Sequence, residues 1–244
     1  MRENDSATCR SCHEFSAMDT FEQREESVKM HEYAIEQSLT CIDCHKGVAH
    51  FSPQPELDNA AREHLLEQAH TTPEDAENVY PAEAILIEGV GELRPAAQLK
   101  VIAYQGGKRL VEVSGYQLKG AEQLLYKESG QRILLATLTQ NGQAILNKGN
   151  YVADEYGNEW RPASLTTEIE APVLESQNPI WAYADELDKV YCGTCHAIIP
   201  GHHFAANAWV PIAKSMGERT DISSQNLEIL TLYFQYHAKD VVHD

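Results

Sequence analysis

One five-residue pattern, Cys-x-x-Cys-His, occurs three times in this sequence: Cys9-Arg10-Ser11-Cys12-His13, Cys41-Ile42-Asp43-Cys44-His45 and Cys192-Gly193-Thr194-Cys195-His196. These copies contain all six cysteines of the chain. The spacing is the attachment signature of c-type haem, in which two thiols reach the two vinyl groups and the adjacent histidine ligates iron. The sequence therefore predicts three covalently bound haems c, with His13, His45 and His196 as the first axial ligands.

Other uses of paired cysteines explain the pattern less well. A disulfide framework is typical of short secreted chains, whereas this chain has 244 residues and carries its cysteines only in close pairs. Structural zinc is compatible with the first two motifs, because Cys9, Cys12, Cys41 and Cys44 provide four thiolates. Zinc leaves the third pair and the three trailing histidines unexplained. A thioredoxin-like redox pair would be a single motif in a βαβ setting, which is absent.

Composition restricts the class of partner. Lys and Arg number 19 against 37 Asp and Glu, which gives a net charge of -18 at pH 7. This charge argues against nucleic acid and against an anionic membrane surface. No apolar run approaches the roughly 18 residues of a membrane span, and the first five residues lack the apolar stretch of a signal peptide. Because bacterial haem attachment takes place outside the cytoplasmic membrane, we expect a periplasmic location.

The chain divides into four segments of different composition and periodicity. Residues 1–53 hold two haem motifs, and residues 54–79 form an acidic linker. Residues 80–170 contain short apolar runs separated by glycine turns, which are typical of a small all-β module of the SH3-like barrel type. Residues 171–244 carry the third motif. The expected fold class is mixed and multidomain: a helical multihaem cytochrome c segment, the small β module, and a helical monohaem cytochrome c domain.

Local signals predict the helices and turns within these segments. Residues rich in Glu, Gln, Lys and Ala predict a helix over Phe21–Ser38, and a short helix is expected over Leu57–Gln68. A further helix is expected around Trp209–Met216, and Ser223 or Ser224 is expected to cap the last helix. Asn141-Gly142, like the other glycine-containing turn signals of the β module, predicts a turn.

The second axial ligand decides whether each iron is closed or open to chemistry. His50 lies five residues after His45 and cannot easily reach the far face of the same haem, so we expect it to serve the haem on Cys9 and Cys12. His31, on the intervening helix, is a second candidate for either of these haems.

For the third haem two ligands are considered. Met216 is favoured because it precedes the closing helix, the usual place of a thioether ligand in small cytochromes c. His203 is the alternative, although it lies only seven residues after His196. Four further histidines are expected to be surface or otherwise ordinary residues; they are His64, His70, His237 and His243.

Longer stretches around the motifs resemble a known family. Cys9-Arg-Ser-Cys-His-Glu-Phe-Ser-Ala-Met-Asp19 and Cys41-Ile-Asp-Cys-His-Lys-Gly-Val-Ala-His50 resemble the second half of the NapC/NirT-type tetrahaem quinol-dehydrogenase domain. The β module and the Cys192 motif resemble the extension found in pentahaem cytochromes of the TorC/TorY type, which belong to trimethylamine-N-oxide reductase systems. The likeness includes the stretches Ala153–Asn158 and Tyr233–Tyr236 and covers essentially the whole chain.

The resemblance implies electron transfer from membrane quinol to a periplasmic molybdenum reductase that acts on N-oxides or S-oxides. It implies that His50 is the distal ligand of the first haem. The family's membrane anchor, its quinol site and its first two haem motifs precede the position at which this chain begins. The distal ligand of the Cys41/Cys44 haem is implied to come from that preceding part, or from a substitute such as His31.

Two other functions stay open. In the first, the chain is a haem enzyme in which an open iron at Cys41/Cys44 reduces a small ligand such as nitrite or peroxide. In the second, it is a redox or haem-loading sensor that uses the β module as its contact surface. An enzyme would show a high-spin haem and a distal proton donor. We expect an electron-transfer cytochrome, not an enzyme.

Overall fold

The computed structural model describes residues 4–10, 13, 23, 25–45, 59–193 and 197–241. It groups the chain into two units. Unit 1 contains Met1–Glu56 and Gly193–Ala197, and unit 2 contains Leu57–Cys192 and Ile198–Asp244. The first two haem motifs therefore belong to unit 1, whereas Cys192 of the third belongs to unit 2.

Unit 1 contains three described helices: α1 (Ala7–Arg10), α2 (Glu25–Glu36) and α3 (Cys41–Cys44). Helix α2 lies within the helix that the sequence predicts. It ends in a Schellman motif, in which Leu39 N–H donates to Ala34 O and Ser38 N–H donates to Ile35 O. Ser38 has the left-handed φ of 53° that this ending requires. Helix α2 therefore ends here, and α3 starts a few residues later at Cys41.

The described helices of unit 2 are α4 (Asn59–Ala69), α5 (Gln140–Ile145), α6 (Asn178–Tyr191), α7 (Ala206–Gly217) and α8 (Ser224–Tyr236). Helices α4 and α7 correspond to two predicted helices. The predicted cap of the last helix is confirmed, since the Ser223 side chain accepts a hydrogen bond from Asn226 N–H. A 3-10 turn spans Gly201–His203.

Eleven strands form one curled antiparallel sheet in the described part of unit 2. They are β1 (Asn78–Pro81), β2 (Ile85–Ile87), β3 (Gly91–Leu93), β4 (Leu99–Gln105), β5 (Lys108–Leu118), β6 (Leu124–Glu128), β7 (Gln131–Leu138), β8 (Asn147–Lys148), β9 (Val152–Ala153), β10 (Glu159–Ile169) and β11 (Val173–Leu174). The strand order is β11-β1-β4-β5-β6-β7-β3-β2, and β10 pairs with β5, β8 and β9. The prediction of helical segments around a β module is thus confirmed at this level.

The long pair β5 and β10 organises the sheet. Every second residue of β5 from Val111 to Gln117 is buried, which is the period of a strand with one face on a core. Gly115 belongs to this buried row, and a Cβ atom there would lie 2.2 Å from the carbonyl oxygen of Tyr126. Only glycine therefore allows β6 to approach β5 this closely. The face covers a core formed by Val79, Leu93, Ala97, Leu99, Val111, Val113, Leu125, Leu135, Ala136, Leu138, Leu146, Ala163, Leu165, Ile169 and Val173.

A second core joins the sheet to the helices of unit 2. Ala82, Ala96, Ile133 and Leu174 come from the sheet side and pack with the apolar faces of α4, α6, α7 and α8. The helical residues are Leu65, Ala69, Ile180, Tyr183, Ala184, Leu187, Ala206, Trp209, Ile229, Leu230, Leu232, Phe234 and Tyr236. The strands and the terminal helices therefore share buried side chains.

Two local predictions differ from the structure. Asn141-Gly142 is not a hairpin turn but part of α5, because the Thr139 side chain accepts a hydrogen bond from Gly142 N–H and caps that helix. The segment predicted as an acidic linker packs, in its described part, against the second core through Leu65 and Ala69 of α4. Its charged residues occupy the outer face of the same helix, so composition alone suggested a solvated linker.

No helix of the described residues is both long enough and apolar enough to cross a membrane.

Arg94 connects the sheet to the last helix. Its guanidinium donates to Glu228 of α8 at 3.0 Å and to the Thr137 hydroxyl of β7 at 2.9 Å, and it lies 3.2 Å from Glu92. Burial raises the pKa of Glu228, while the charge of Arg94 opposes this rise and Glu92 adds to it. The effect of burial on the pKa of Glu228 is thus only partly offset by the charge of Arg94.

The substitution Glu228→Gln tests this balance. A carboxyl group whose pKa is raised in the folded state makes folding less favourable as pH rises above about 4.3, its ordinary value. We expect Glu228→Gln to flatten the fall in unfolding free energy that the parent shows as pH rises from 4 towards the raised pKa. Urea unfolding at several pH values measures this pH dependence of the unfolding free energy. Glu88→Gln, at an exposed turn, serves as the control, and equal pH profiles of parent and Glu228→Gln would contradict the prediction.

Candidate haem-binding sites

The first two motifs close the same backbone turn. His13 N–H donates to Cys9 O at 2.9 Å, and His45 N–H donates to Cys41 O at 2.9 Å. Residues three and four apart in such a turn lie on one side of it. In α3 the two thiols and the imidazole of the motif therefore share one side, the arrangement that attachment to one porphyrin edge and to its iron requires.

The side chain of Asp43 holds the start of α3. Its carboxylate accepts hydrogen bonds from Thr40 N–H at 3.0 Å and from the Thr40 hydroxyl at 2.8 Å. Asp43 N–H in turn donates to Thr40 O at 2.9 Å. Carboxylates in the first turn also interact favourably with the helix dipole. A variable position of the motif thus stabilises the turn that carries the thiols.

The second motif presents its reactive groups to solvent. Cys44 and His45 are exposed and Cys41 is half-buried. Cys9, Cys41 and Cys44 form no disulfide. Thioether formation with a porphyrin needs accessible thiols, so the residues of this motif fit covalent haem c.

His31 lies opposite His45 in unit 1. The two ring centroids are 6.0 Å apart and their planes differ by 28°. Two imidazoles that bind one metal from opposite sides, each with a metal–nitrogen distance of about 2 Å, have centroids roughly 6 Å apart. His31 is half-buried on α2, and its Nδ1 lies 2.7 Å from Oε1 of Gln23. The structure thus brings together one of the predicted proximal ligands and one of the candidate distal ligands.

The third motif begins where α6 ends. Cys192 is the C-cap residue, and its N–H donates to Asp188 O at 2.9 Å. Cys192 is half-buried and packs against the second core. Trp181, Asp188 and Cys192 fall on one face of α6 by their spacing. The first thiol of this motif is therefore held by a buried helix.

Met216 and His203 lie on different elements of unit 2. Met216 is at the end of α7 on the same stripe as the buried residues Trp209 and Ala213, and it is 38% exposed. His203 is exposed in the 3-10 turn, where its ring meets that of Phe204 edge-on at 4.6 Å. Phe204 in turn contacts Trp209. Both residues remain candidates for the sixth ligand of the third haem.

His237, expected from the sequence to be an ordinary residue, packs among aromatic side chains of unit 2. It is half-buried at the end of α8, and its Nδ1 lies 2.7 Å from the carbonyl oxygen of Tyr233. Its ring contacts Trp181 at 5.6 Å and Tyr233 at 4.5 Å between centroids. The four-residue spacing of Tyr233 and His237 was the available signal. His64 and His70 are exposed, as expected.

Two tyrosines of this aromatic cluster, Tyr233 and Tyr236, have raised pKa values. Burial raises the pKa of Tyr233, and the charges of Asp185 and Asp188 raise it further. Burial also raises the pKa of Tyr236, which is packed beside Trp181. Both phenols are therefore neutral at physiological pH.

Several predicted ligands lie outside the described residues. They are Cys12, His50, Cys195 and His196; His243, which is expected to be an ordinary residue, also lies outside them.

Comparison with known proteins identifies the family. The family described as NapC/NirT cytochrome c family, N-terminal region, matches residues 1–55, and TorC third cytochrome c domain matches residues 68–173. Cytochrome c-type protein TorY of Escherichia coli O157:H7 is 45% identical over 242 residues, 99% of this chain and 66% of that protein. TorY of Haemophilus influenzae is 31% identical over 247 residues, 99% of this chain and 67% of that protein. The chain belongs to the TorC/TorY-type cytochromes of the NapC/NirT family.

The family implies covalently bound haem c, and its members are named as cytochromes, in agreement with the predicted class. Cytochrome c-type protein TorC of Escherichia coli K12 is 31% identical over 251 residues, 98% of this chain and 64% of that protein. The chain thus spans about two thirds of the length of these relatives. No solved structure matches it. Residues 68–173 contain no cysteine, so haem attachment depends on the flanking segments.

Removal of the Asp43 side chain tests the turn of the second motif. We expect Asp43→Ala to lower unfolding free energy by about 1 kcal/mol, the usual cost of a lost helix cap, and to lower the yield of haem at this motif. Pyridine haemochrome assay per chain and denaturant unfolding measure the two effects. Asp43→Asn keeps an acceptor and should retain most haem, and Asp75→Ala at an exposed position is the control. Full haem content in Asp43→Ala would contradict the role of Asp43 in stabilising the turn for haem attachment.

Proposed function

We propose that this chain is an electron carrier with three haems c, one on each of the cysteine pairs Cys9/Cys12, Cys41/Cys44 and Cys192/Cys195. Membership in the TorC/TorY-type cytochromes supports it, and so does the common turn of the first two motifs. Each attached haem supplies a one-electron Fe(III)/Fe(II) couple. The chain itself holds the porphyrins and provides the axial side chains.

The distance between His31 and His45 is the observation that carries this proposal. His45 is proximal and His31 distal to the second haem, and the centroid separation of 6.0 Å supports that pair. A haem with two protein ligands has no position at which a small substrate can bind. The pair therefore favours an electron carrier over an enzyme with an open iron.

The other two haems are assigned their ligands from the sequence. We assign His13 and His50 to the first haem, and His196 and Met216 to the third. The position of Met216 beside a buried stripe supports this assignment. His203 is the alternative, and a histidine there would give the third haem a lower potential than methionine.

The proposed organisation follows the composition of the chain. Residues 1–53 are the second half of a NapC/NirT-type multihaem domain, and residues 54–79 connect it to a platform. Residues 80–170 are that platform, a small SH3-like barrel, and residues 171–244 are a monohaem cytochrome c domain. The protein acts on the periplasmic side of the bacterial inner membrane, and electrons from membrane quinol reach it through the family's N-terminal part.

The proposed electron acceptor is a periplasmic molybdenum reductase that acts on trimethylamine N-oxide or on related N-oxides and S-oxides. The net charge of -18 supports a partner with a basic docking surface, because complementary charges accelerate encounter. Glu63, Glu67, Glu74 and Asp75 are exposed on α4 and the segment after it, where they contribute to this negative surface. The encounter should therefore weaken with salt.

Optical spectra of the purified protein test the haem assignment. We expect three haems per chain by pyridine haemochrome, all low-spin, with the weak long-wavelength band of thioether-ligated ferric haem. Met216→Ala should abolish that band and lower the potential of one haem, whereas Met30→Leu, at an exposed position of α2, should leave both unchanged. A band that persists in Met216→Ala would contradict the methionine assignment, and fewer than three haems would contradict the central proposal.

Electron delivery can be followed directly. Reduced protein mixed with a trimethylamine-N-oxide reductase and its substrate should be reoxidised, and the second-order rate should fall at least tenfold between low ionic strength and 0.5 M salt, because steering by opposite charges is screened (on the order of a 4 Å Debye length). Stopped-flow absorbance measures the rate. Turnover of nitrite or peroxide by the chain alone, with a high-spin haem signal, would instead establish the enzyme alternative.

A further inference from the structure

Gln23 contacts the distal ligand proposed for the second haem. Its Oε1 lies 2.7 Å from Nδ1 of His31, and Gln23 is half-buried ahead of α2. Nothing in the sequence points to this residue, because an isolated glutamine in a polar segment belongs to no motif.

The chemistry of the contact determines the tautomer of His31. An amide oxygen only accepts hydrogen bonds, so Nδ1 carries the proton and donates it to Gln23. The other ring nitrogen, Nε2, then has the lone pair that a metal requires. Metal-ligating histidines are commonly held in this way, by an acceptor on the second nitrogen that orients the ring and raises its basicity.

We propose that Gln23 is a positioning residue that holds His31 as an axial ligand and tunes the potential of the haem on Cys41/Cys44. This inference rests on the proposed ligation by His31. The hydrogen bond limits rotation of the imidazole, whose plane lies within 28° of the His45 plane. With a neutral amide as hydrogen-bond acceptor, His31 is a moderate electron-pair donor to iron. A carboxylate in place of the amide would make His31 a stronger electron-pair donor.

Substitutions of Gln23 in the full chain separate these effects. Gln23→Leu keeps the size but removes the acceptor, so the potential of one haem should rise. Cyanide or imidazole should displace His31 with an affinity at least tenfold higher, the usual effect of losing such a partner. Gln23→Glu restores an acceptor and strengthens it, so the potential should fall below that of the parent. Gln37→Leu, at an exposed position beyond α2, is the matched control.

Spectroelectrochemical titration and electron paramagnetic resonance of the oxidised protein give the readouts. The variant His31→Ala identifies the haem concerned, because the haem that loses this ligand becomes high-spin. Haem content and circular dichroism verify that each variant is folded and loaded. If both Gln23 variants match Gln37→Leu while His31→Ala is high-spin, Gln23 has no such role and the ligation by His31 stands. If His31→Ala stays fully low-spin, the proposed ligation is overturned and the role of Gln23 with it.

Discussion

One turn of helix is the constraint on which haem attachment in this protein depends. Two thiols and an imidazole must lie on one side of a segment of five residues. In the first two motifs this follows from the backbone hydrogen bond that the histidine N–H donates to the carbonyl oxygen of the first cysteine. Such a short helix is unstable alone. In the second motif, the hydrogen bonds between Thr40 and Asp43 at the start of α3 supply part of the missing support.

The third motif is supported in a different way. Its first cysteine follows a helix of 14 residues that is buried against the sheet and against α8. The β module, which has no haem ligands, therefore contributes to the haem region through shared core residues such as Ile133 and Leu174. Sites on packed elements are held more rigidly than sites on loops. This rigidity suits the proposed role as an electron carrier.

Patterns with a strong period predicted their elements well. The helices α2, α4 and α7 lie close to their predicted positions, and α8 begins at its predicted cap; the boundaries differ mainly at the ends. Asn141-Gly142 shows where local signals fail. This dipeptide is common in hairpins, but here Thr139 caps a helix, and Gly142 packs so closely on Val90 that only glycine fits. Tertiary packing decided between two local conformations.

The sequence by itself determined the class of cofactor, and it predicts six attachment cysteines and three proximal histidines, because that chemistry depends on spacing over five residues. It also limited the distal ligands to a few histidines and one methionine. Only the tertiary structure placed His31 near His45, gave His31 its partner Gln23, and packed α4 into a core. These contacts join residues that are distant along the chain or on different elements. Their proximity follows from helix endings and buried faces, which no local pattern records.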